Sequence, residues 1–381
     1  MLLDGAAKPG AKILVSGGSR CNVTNVSVEA ADFWGGRRPI IRRILRAFPA
    51  SRTVTFFREI GVSLHEEADG KLFPDSHRSR DVLDALLREI DACGALMLGN
   101  HRVLDVVPSG PNFRVVTSRG DMHAGLVVLA TGGRSLPKSG SDGAGIEIAR
   151  RLGHTVVPTT PALTPLLLSD ADALHRELSG VAQEVELSIW IGGAISERMS
   201  GAMLWTHFGV SGPIALNASR HWLRAEIEGR TIRITVNFCA GESFDTLERT
   251  WEVLAAARPR ASVLTTLTTM MPASAAAALL RQLNIDGTVA LAHFERDRRR
   301  RLTHALTSWA LPIVGARGYN HAEVTAGGIA LTEIEPATMA SRVCPRLFLV
   351  GEMLDVDGRI GGFNFQWAWA TAHVAAAALA R

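Results

Sequence analysis

The sequence predicts an α/β fold in which both ends of the chain build one domain and the middle forms an insertion. Two short apolar runs carry this prediction, residues 126–130 (LVVLA) and 347–350 (LFLV). Each is continuous and followed by glycine or a small residue, as is typical of strands buried on both faces of a parallel sheet. From Val156 onward prolines cluster and strand-like alternation replaces this pattern, so we expect a separate inserted region there.

The elements between these landmarks follow from periodicity and turn residues. Residues 39–48 and 52–60 are predicted to be amphipathic helices, and residues 79–93 place five apolar side chains on one helical face. Strands are expected over 96–107 and 113–118, with a turn at 108–111, and a helix over 143–152. In the insertion, 181–191 and 230–238 alternate like strands, whereas 244–310 is mostly helical. An alanine-rich helix closes the chain.

Composition excludes several classes of protein. The 381 residues include 41 Lys+Arg, 37 Asp+Glu and 47% apolar residues, which indicates a globular chain of two or three domains. The net charge of +4 is small and does not predict nucleic-acid binding, which would need a clustered basic face. The one basic cluster, the arginine run 296–301, is expected to be a solvated helix face. We therefore expect no nucleic-acid partner. No run is long enough to span a membrane, no signal peptide is evident, and oligomeric state stays open.

The four cysteines lie far apart and form no C-x-x-C pair. No histidine stands at metal-ligand spacing beside them, so a zinc site is not expected. Scattered thiols without a pairing pattern favour a reduced, cytoplasmic chain.

Three small residues, Thr131, Gly132 and Gly133, follow the first apolar run. Small residues at the carboxyl edge of a sheet let a ligand approach the backbone. An ordinary turn between a strand and the next segment explains them equally well, and the sequence leaves the two interpretations open.

Gly351 and Glu352 follow the second apolar run in the same way. A carboxylate just past a strand end can accept hydrogen bonds from ribose or ribitol hydroxyls. The alternative is an acid that complements the dipole at a helix start.

The last helix opens with Gly361, Gly362, Phe363, Asn364 and, two residues on, Gln366. Paired glycines allow a planar ligand to come close, and free N–H groups at a helix start stabilise negative charge. A reduced flavin carries such charge. Asn364 as a plain helix cap is the alternative.

The most distinctive run is SGGSRCN at residues 16–22. Ser16, Gly17 and Gly18 suit a backbone pressed against a ligand, and Arg20 could bind a phosphate or carboxylate. Cys21 is either redox-active or a small buried apolar residue.

Taken together, these motifs resemble the family of FAD-binding flavoproteins known as aminoacetone-oxidase-like or NAD(P)/FAD-dependent oxidoreductases. The segments that carry the resemblance lie in family order over nearly the whole chain: KILVSGGSRCNVTN (12–25), LFPDS (72–76), ATGGRSLP (130–137) with Asp142 and Gly143, PALTPLLL (161–168), THFGVSGP (206–213), VTAGG (324–328) and FLVGEMLDVDGRIGGFNFQWAWA (348–370).

The resemblance implies a Rossmann-like FAD/NAD(P)-binding domain of the two-dinucleotide-binding type, with an inserted β-barrel-like and helical region. The first part of the FAD domain would span 1–156 and the second 318–381. The insertion would span 157–317, strand-rich over 157–240 and helical over 241–317. The implied cofactor-binding residues are Asp4 (adenosine ribose), Val103 (adenine), Ser16, Gly17, Gly18, Arg20, Cys21, Asn22, Gly361, Gly362, Phe363, Asn364 and Gln366 (flavin), Thr131, Gly132 and Gly133 (second glycine turn), and Gly351 and Glu352 (pyrophosphate and ribitol).

One departure from the family pattern concerns the start of the chain. Family members begin with a strand and a G-x-G-x-x-G turn about 20 residues before the ribose-binding acid, and nothing of this kind precedes Asp4. A strand, turn and helix of roughly 25–30 residues would be missing. Either Met1 is internal to a longer protein, or the chain is a degenerate homologue that binds no FAD and has no activity.

The resemblance further implies a flavin-dependent oxidoreductase that transfers hydride through flavin N5 to or from a small molecule. The substrate would lie between the FAD domain and the insertion, with NAD(P)H as a transient electron donor. The sequence identifies no catalytic acid or base; His207, Tyr319 and His321 are candidates only by residue type.

Overall fold

A computed structural model describes residues 1–170 and 174–380. The helices are α1 Ala11–Ser19, α2 Arg38–Ala47, α3 Ala50–Glu59, α4 Ser79–Ala92, α5 Ala144–Arg151, α6 Leu174–Glu177, α7 Pro213–Ile227, α8 Phe244–Ala257, α9 Val263–Leu267, α10 Ala273–Gln282, α11 Arg296–Thr307 and α12 Phe363–Leu379.

The strands are mostly short. They are β1 Leu2–Leu3, β2 Thr24–Asn25, β3 Phe33–Gly35, β4 Leu64–Glu67, β5 Lys71–Pro74, β6 Met97–Leu98, β7 Val103–Ser109, β8 Asn112–Thr117, β9 Gly120–Ala124, β10 Val127–Leu129, β11 Val156–Ala162, β12 Leu166–Leu168, β13 Ala182–Ile191, β14 Ala194–Thr206, β15 Gly209–Ser211, β16 Ile232–Asn237, β17 Trp309–Ala310, β18 Ile313–Ala316, β19 Val324–Ile329, β20 Leu347–Leu349 and β21 Val356–Gly358.

The chain forms two compact units. Unit 1 combines Met1–Ala162 with Tyr319–Arg381, and unit 2 is Leu163–Gly318. The insertion therefore begins six residues later than the expected 157, because β11 pairs antiparallel with β19 and so belongs to unit 1. Both chain ends contribute to unit 1, as the two apolar runs indicate.

The parallel pairing of those runs is confirmed. β10 lies parallel to β20, with Val128 opposite Phe348, and β1 lies parallel to β6. All three residues of β20 are buried, but Val128 is 42% exposed and Leu2 is 41% exposed. The prediction that the first run is buried on both faces is therefore wrong for β10, since the described residues leave one of its faces uncovered.

The helices predicted over 39–48, 52–60, 79–93 and 143–152 are confirmed as α2, α3, α4 and α5. Each of their boundaries lies within two residues of the predicted one. The expected long strand over 96–107 is instead two strands, β6 and β7, because residues 99–102 form a turn region held by bonds to residues 4 and 6. The core of unit 1 includes Phe33, Ile41, Leu349 and Trp367, and each of these side chains is at most 1% exposed.

Unit 2 consists of one antiparallel sheet with helices packed around a core that includes Trp205, Trp251 and Leu302. The strand order is β17-β16-β13-β14-β15-β12-β18. Since β17 and β18 are the two ends of this sheet and are not paired with each other in the described chain, no closed barrel is found, and the barrel-like expectation is not confirmed.

None of the described helices combines the length and the apolar character that crossing a bilayer requires.

Candidate functional site

The run at residues 16–22 forms a left-handed turn at the end of α1. Gly17, Gly18, Ser19 and Cys21 all have positive φ angles of 54–67°, and the Cys21 amide donates to the Ser16 carbonyl at 3.0 Å. Residues with a Cβ rarely adopt this conformation, so glycine suits the turn. Nothing lies within 4 Å of the position where a Gly18 Cβ would stand, so the backbone here is open to a ligand.

Cys21 is fully buried in this turn. Burial raises the pKa of its thiol to about 11, although a hydrogen bond with Ser16 opposes that shift. A thiol with such a pKa is not a thiolate at neutral pH and is a poor nucleophile. The structure therefore favours the interpretation of Cys21 as a small buried residue.

The start of α12 lies directly against the segment that follows this turn. With its amide oriented so that donors face acceptors, Asn22 accepts a hydrogen bond from the Gly362 N–H at 3.1 Å and donates to the Thr24 carbonyl at 2.8 Å. Asn25 donates to the Gly361 carbonyl at 3.1 Å. Gly362 has φ 94°, and a Cβ there would overlap the Thr24 carbonyl. We call Asn22, Thr24, Asn25, Gly361 and Gly362 the glycine junction.

Two side chains in the first turn of α12, those of Phe363 and Gln366, are buried in unit 1. Gln366 is fully buried; its Oε1 accepts from the Thr24 and Thr53 hydroxyls at 2.7 and 2.8 Å, and its Nε2 donates to the Phe48 carbonyl at 2.8 Å. Phe363 is also buried, 6.2 Å from the Phe33 ring. Their side chains hold the junction together, so any contact with a ligand would use their backbone.

Asn364 has a structural role that differs from a helix cap. Its Oδ1 accepts from the Gly358 N–H at 2.8 Å and its Nδ2 donates to the Gly358 carbonyl at 2.9 Å. The cap residue of α12 is Gly362, with no side-chain cap bond. The plain-cap alternative is wrong, since Asn364 fixes the loop before the helix.

A second group of residues surrounds Glu352, just past β20. Its carboxylate accepts from the Ser135 hydroxyl at 2.8 Å and from the Thr325 N–H at 2.9 Å, and it forms an ion pair with Lys12. Gly133 packs against this group, since a Cβ there would overlap the Thr325 hydroxyl. We call Lys12, Ser135, Thr325 and Glu352 the carboxylate cluster.

Three members of this cluster were missed as site residues at the sequence level. Lys12, Ser135 and Thr325 each lie inside a motif that carries the family resemblance, which was the only signal available for them. Lys12 lies in α1 four residues before Ser16, where the backbone leaves helical geometry, so α1 leads directly from the carboxylate cluster into the glycine-rich turn.

The other predicted site residues lie elsewhere in unit 1. Asp4 follows β1, and its Oδ1 accepts from the Ala6 N–H at 2.7 Å. Val103 begins β7 opposite Thr117. Thr131 and Gly132 follow β10. The Thr131 side chain packs against Gly145, and a Cβ on Gly145 would overlap the Thr131 hydroxyl. Gly351 donates its N–H to the Thr371 hydroxyl at 2.9 Å.

Arg20 is engaged with protein partners. Its Nη1 lies 2.6 Å from Glu67 Oε1, and its guanidinium lies 4.1 Å from the centroid of the Phe73 ring. The hydrogen bond from Arg20 holds the pKa of Glu67 below its ordinary value, against a smaller opposing effect of desolvation. Phosphate or carboxylate binding by Arg20 would therefore compete with Glu67.

The candidates for a catalytic acid or base are scattered. His207 is an exposed residue between β14 and β15 in unit 2, and His321 is exposed in unit 1. Tyr319 lies in unit 1, where its carbonyl accepts from the Leu136 N–H at 2.9 Å. None of the three lies in the glycine junction or in the carboxylate cluster, so the geometry gives none of them a catalytic assignment.

Comparison with known proteins identifies relatives over the full chain. A family model described as HI0933-like protein Rossmann domain matches residues 1–378. The 3-dehydro-bile acid delta(4,6)-reductase of Clostridium scindens is 29% identical over 379 residues, which is 100% of this chain and 92% of the relative. The ribosomal RNA dihydrouridine synthase of Escherichia coli is 31% identical over 373 residues, 98% of this chain and 90% of the relative.

Solved structures show a more distant likeness. A flavocytochrome c3 fumarate reductase in its open conformation aligns with 98% of this chain and 72% of its own at 14% identity, with a TM-score of 0.42.

Proposed function

Since the chain belongs to the HI0933-like Rossmann-domain family of FAD-binding oxidoreductases, we propose that it binds FAD and reduces a carbon–carbon double bond that is conjugated to a carbonyl group. FAD, when bound, supplies hydride transfer at flavin N5. The protein supplies position, electrostatics and exclusion of water.

The observation that carries the proposal is the glycine junction. Two segments that are implied to lie along the flavin, residues 16–22 and 361–366, are far apart in sequence and yet bond directly through Asn22 and Gly362. Membership of the family does not by itself require that these two segments still contact each other. Their contact supports a retained cofactor site.

The backbone around the junction fits a planar, partly anionic group. Gly18 leaves open space where a side chain would stand. The first N–H groups of α12 have no partner within the helix, and the positive end of its dipole favours negative charge there. The open space would admit an isoalloxazine ring, and the start of α12 would stabilise the negative charge of its reduced form.

Other residues of unit 1 are proposed to hold the remainder of the cofactor. Asp4 would bind the adenosine ribose, with Val103 near the adenine. Thr131, Gly132 and Gly133 would line the second glycine turn, and Gly351 and Glu352 the pyrophosphate and ribitol. Within the carboxylate cluster, the ion pair with Lys12 orients Glu352 as a hydrogen-bond acceptor.

The substrate class rests on what the two relatives are named for. One is a reductase of a 3-dehydro bile acid at its delta(4,6) positions and the other makes dihydrouridine. Both names describe addition of hydrogen to a carbon–carbon double bond. A small-molecule enone is proposed, with NAD(P)H as a transient electron donor and no nucleic-acid or membrane partner.

The alternative is a degenerate homologue that binds no FAD. The exposure of Leu2 on β1 and Val128 on β10 favours it, since each strand lies in a sheet of only two strands and a two-stranded sheet is marginally stable by itself. It predicts a colourless protein that stays colourless when FAD is added.

The deciding measurement is the visible absorption spectrum of the purified chain after incubation with FAD and gel filtration, with and without in-frame residues upstream of Met1. Flavin bands in either form support the proposal. Reoxidation of the reduced flavin is then followed with a 4,6-dien-3-one bile acid and with a ribosomal RNA fragment. Faster reoxidation by the RNA would contradict the small-molecule assignment, and no flavin in either form would contradict the proposal itself.

A further inference from the structure

Two histidines and two carboxylates meet on the hairpin formed by β4 and β5. His65 and Glu67 stand two residues apart on β4, so their side chains project from the same face of the strand. His77 and Asp75 follow β5, in the turn that leads to α4. The pairing of His65 with Phe73 across the hairpin brings this turn beside β4.

Three candidate ligand atoms converge on one point. Glu67 Oε1 lies 3.4 Å from His65 Nε2 and 3.8 Å from His77 Nδ1, and the ligand atoms of all three residues lie within 4.8 Å of one another. In a tetrahedral zinc site with bonds of about 2.0–2.1 Å, neighbouring ligand atoms are about 3.3 Å apart. The two distances from Glu67 Oε1 lie about 0.1 and about 0.5 Å above that value, and the upper bound of 4.8 Å between any two ligand atoms lies about 1.5 Å above it.

Asp75 orients one of the ligands. Its Oδ1 lies 3.2 Å from His65 Nδ1, which leaves Nε2 of the same ring facing Glu67. A carboxylate on the far nitrogen of a histidine fixes the tautomer that presents the other nitrogen to a metal.

We propose that His65, Glu67 and His77 form a site for a Zn²⁺-type divalent ion, with Asp75 as a positioning residue. Two neutral imidazoles and one carboxylate are ligands that Zn²⁺ prefers, and three protein ligands leave the fourth position for water or an exogenous group. The side chains are accessible, since His77 is 54% exposed and His65 31%. The site borders the proposed flavin site through Arg20, which contacts Glu67, but its ligands are protein side chains and need no flavin.

Arg20 is the cation that opposes metal binding. Its guanidinium occupies the same atom, Glu67 Oε1, at 2.6 Å. Metal and Arg20 therefore compete for one carboxylate oxygen, and a bound ion would release Arg20 from its ion pair. Removal of Arg20 should strengthen metal binding, whereas loss of any ligand should weaken it.

The test is calorimetric titration of the tag-free full chain with Zn²⁺ at about pH 7.5, where an unperturbed histidine is neutral. Wild type should bind one ion per chain. His65→Gln, Glu67→Gln and His77→Gln should each weaken binding more than about tenfold, and Asp75→Asn about tenfold. Arg20→Met should tighten it. His123→Gln changes an exposed histidine on β9 and is the matched control, which should bind as wild type.

Titration with Co²⁺ gives a second readout, because a four-coordinate site has intense visible bands that an exposed, water-rich site lacks. Thermal midpoints show that each variant is folded. The expected gain in Zn²⁺ affinity of Arg20→Met is a result that misfolding would not produce. The proposal is overturned if wild type binds no ion, or if both histidine variants bind as tightly as wild type. The cluster would then be a histidine–carboxylate ion-pair network alone.

Discussion

The ammonium group of Lys12 forms an ion pair with the carboxylate of Glu352, which lies 340 residues further along the chain. The pair joins α1, from the first part of unit 1, to the segment after β20, from its second part. Because Ser135 and Thr325 donate to the other oxygen of the same carboxylate, four segments of unit 1 meet at Glu352.

Replacement of Lys12 should weaken both the fold and the proposed FAD site. In Lys12→Met the half-buried Glu352 loses its charged partner but keeps two neutral donors, so we expect a loss of about 1–3 kcal/mol in the free energy of unfolding. Urea denaturation measures this, and FAD titration should show weaker binding. Lys8→Met removes an exposed lysine and should change neither value; equal effects in the two variants would contradict the assignment.

Gln366→Leu should be strongly destabilising. The substitution leaves the Thr24 and Thr53 hydroxyls and the Phe48 carbonyl without their buried partner. Since each buried polar group left unpaired costs about 1–3 kcal/mol, the free energy of unfolding should fall by about 3 kcal/mol or more. Gln282→Leu, at an exposed position on α10, is the control. A change within about 0.5 kcal/mol, as for a surface site, would refute the role of Gln366.

Two glycine substitutions should separate folding from cofactor binding. Gly362→Ala places a Cβ into the Thr24 carbonyl and should reduce the stability of the chain severely. Gly18→Ala meets no atom within 4 Å, so it should cost only the roughly 1–2 kcal/mol of a left-handed residue. If the flavin occupies the open space, Gly18→Ala should nevertheless abolish FAD binding. Normal FAD affinity in a folded Gly18→Ala protein would place the flavin elsewhere.

Acid should destabilise unit 2 through His221. Burial, with a smaller effect of Arg220, lowers the pKa of His221 from 6.5 to about 3. The unfolded chain therefore binds a proton at a higher pH than the folded chain, so stability is full above about pH 6.5 and falls progressively below it. Unfolding measured from pH 7 to about 4 should show a shallower decline in His221→Gln than in wild type. The exposed-site variant His123→Gln should retain the wild-type slope.

The sequence predicted the local elements of unit 1 well, because their signals are local. The parallel partners β10 and β20 follow from apolar runs that end in small residues, and α4 follows from a stripe of apolar side chains. Exposure of Val128 was not predictable, since burial depends on what covers a strand and not on the strand itself.

The site residues and contacts that could not be predicted from the sequence involve residues that are far apart along the chain. Glu352 was identifiable by its place after a strand, but Ser135 and Thr325 reach it only through the fold. Gln366 was expected near the cofactor, and burial gives its side chain an internal role. His65 and His77 lack any recognised ligand spacing, and only the β4–β5 hairpin brings them together.

The strand pair β11 and β19 has a consequence for how this protein can change over evolution. β11 ends at Ala162, directly opposite Val324 at the beginning of β19, and unit 2 is the chain between them apart from residues 319–323. The hydrogen-bonded pairing of β11 with β19 therefore holds the points where the chain enters and leaves the insertion next to each other. Because the entropy of closing a loop grows only slowly with its length, unit 2 can lengthen, shorten or be exchanged for another module while the register of unit 1 stays the same.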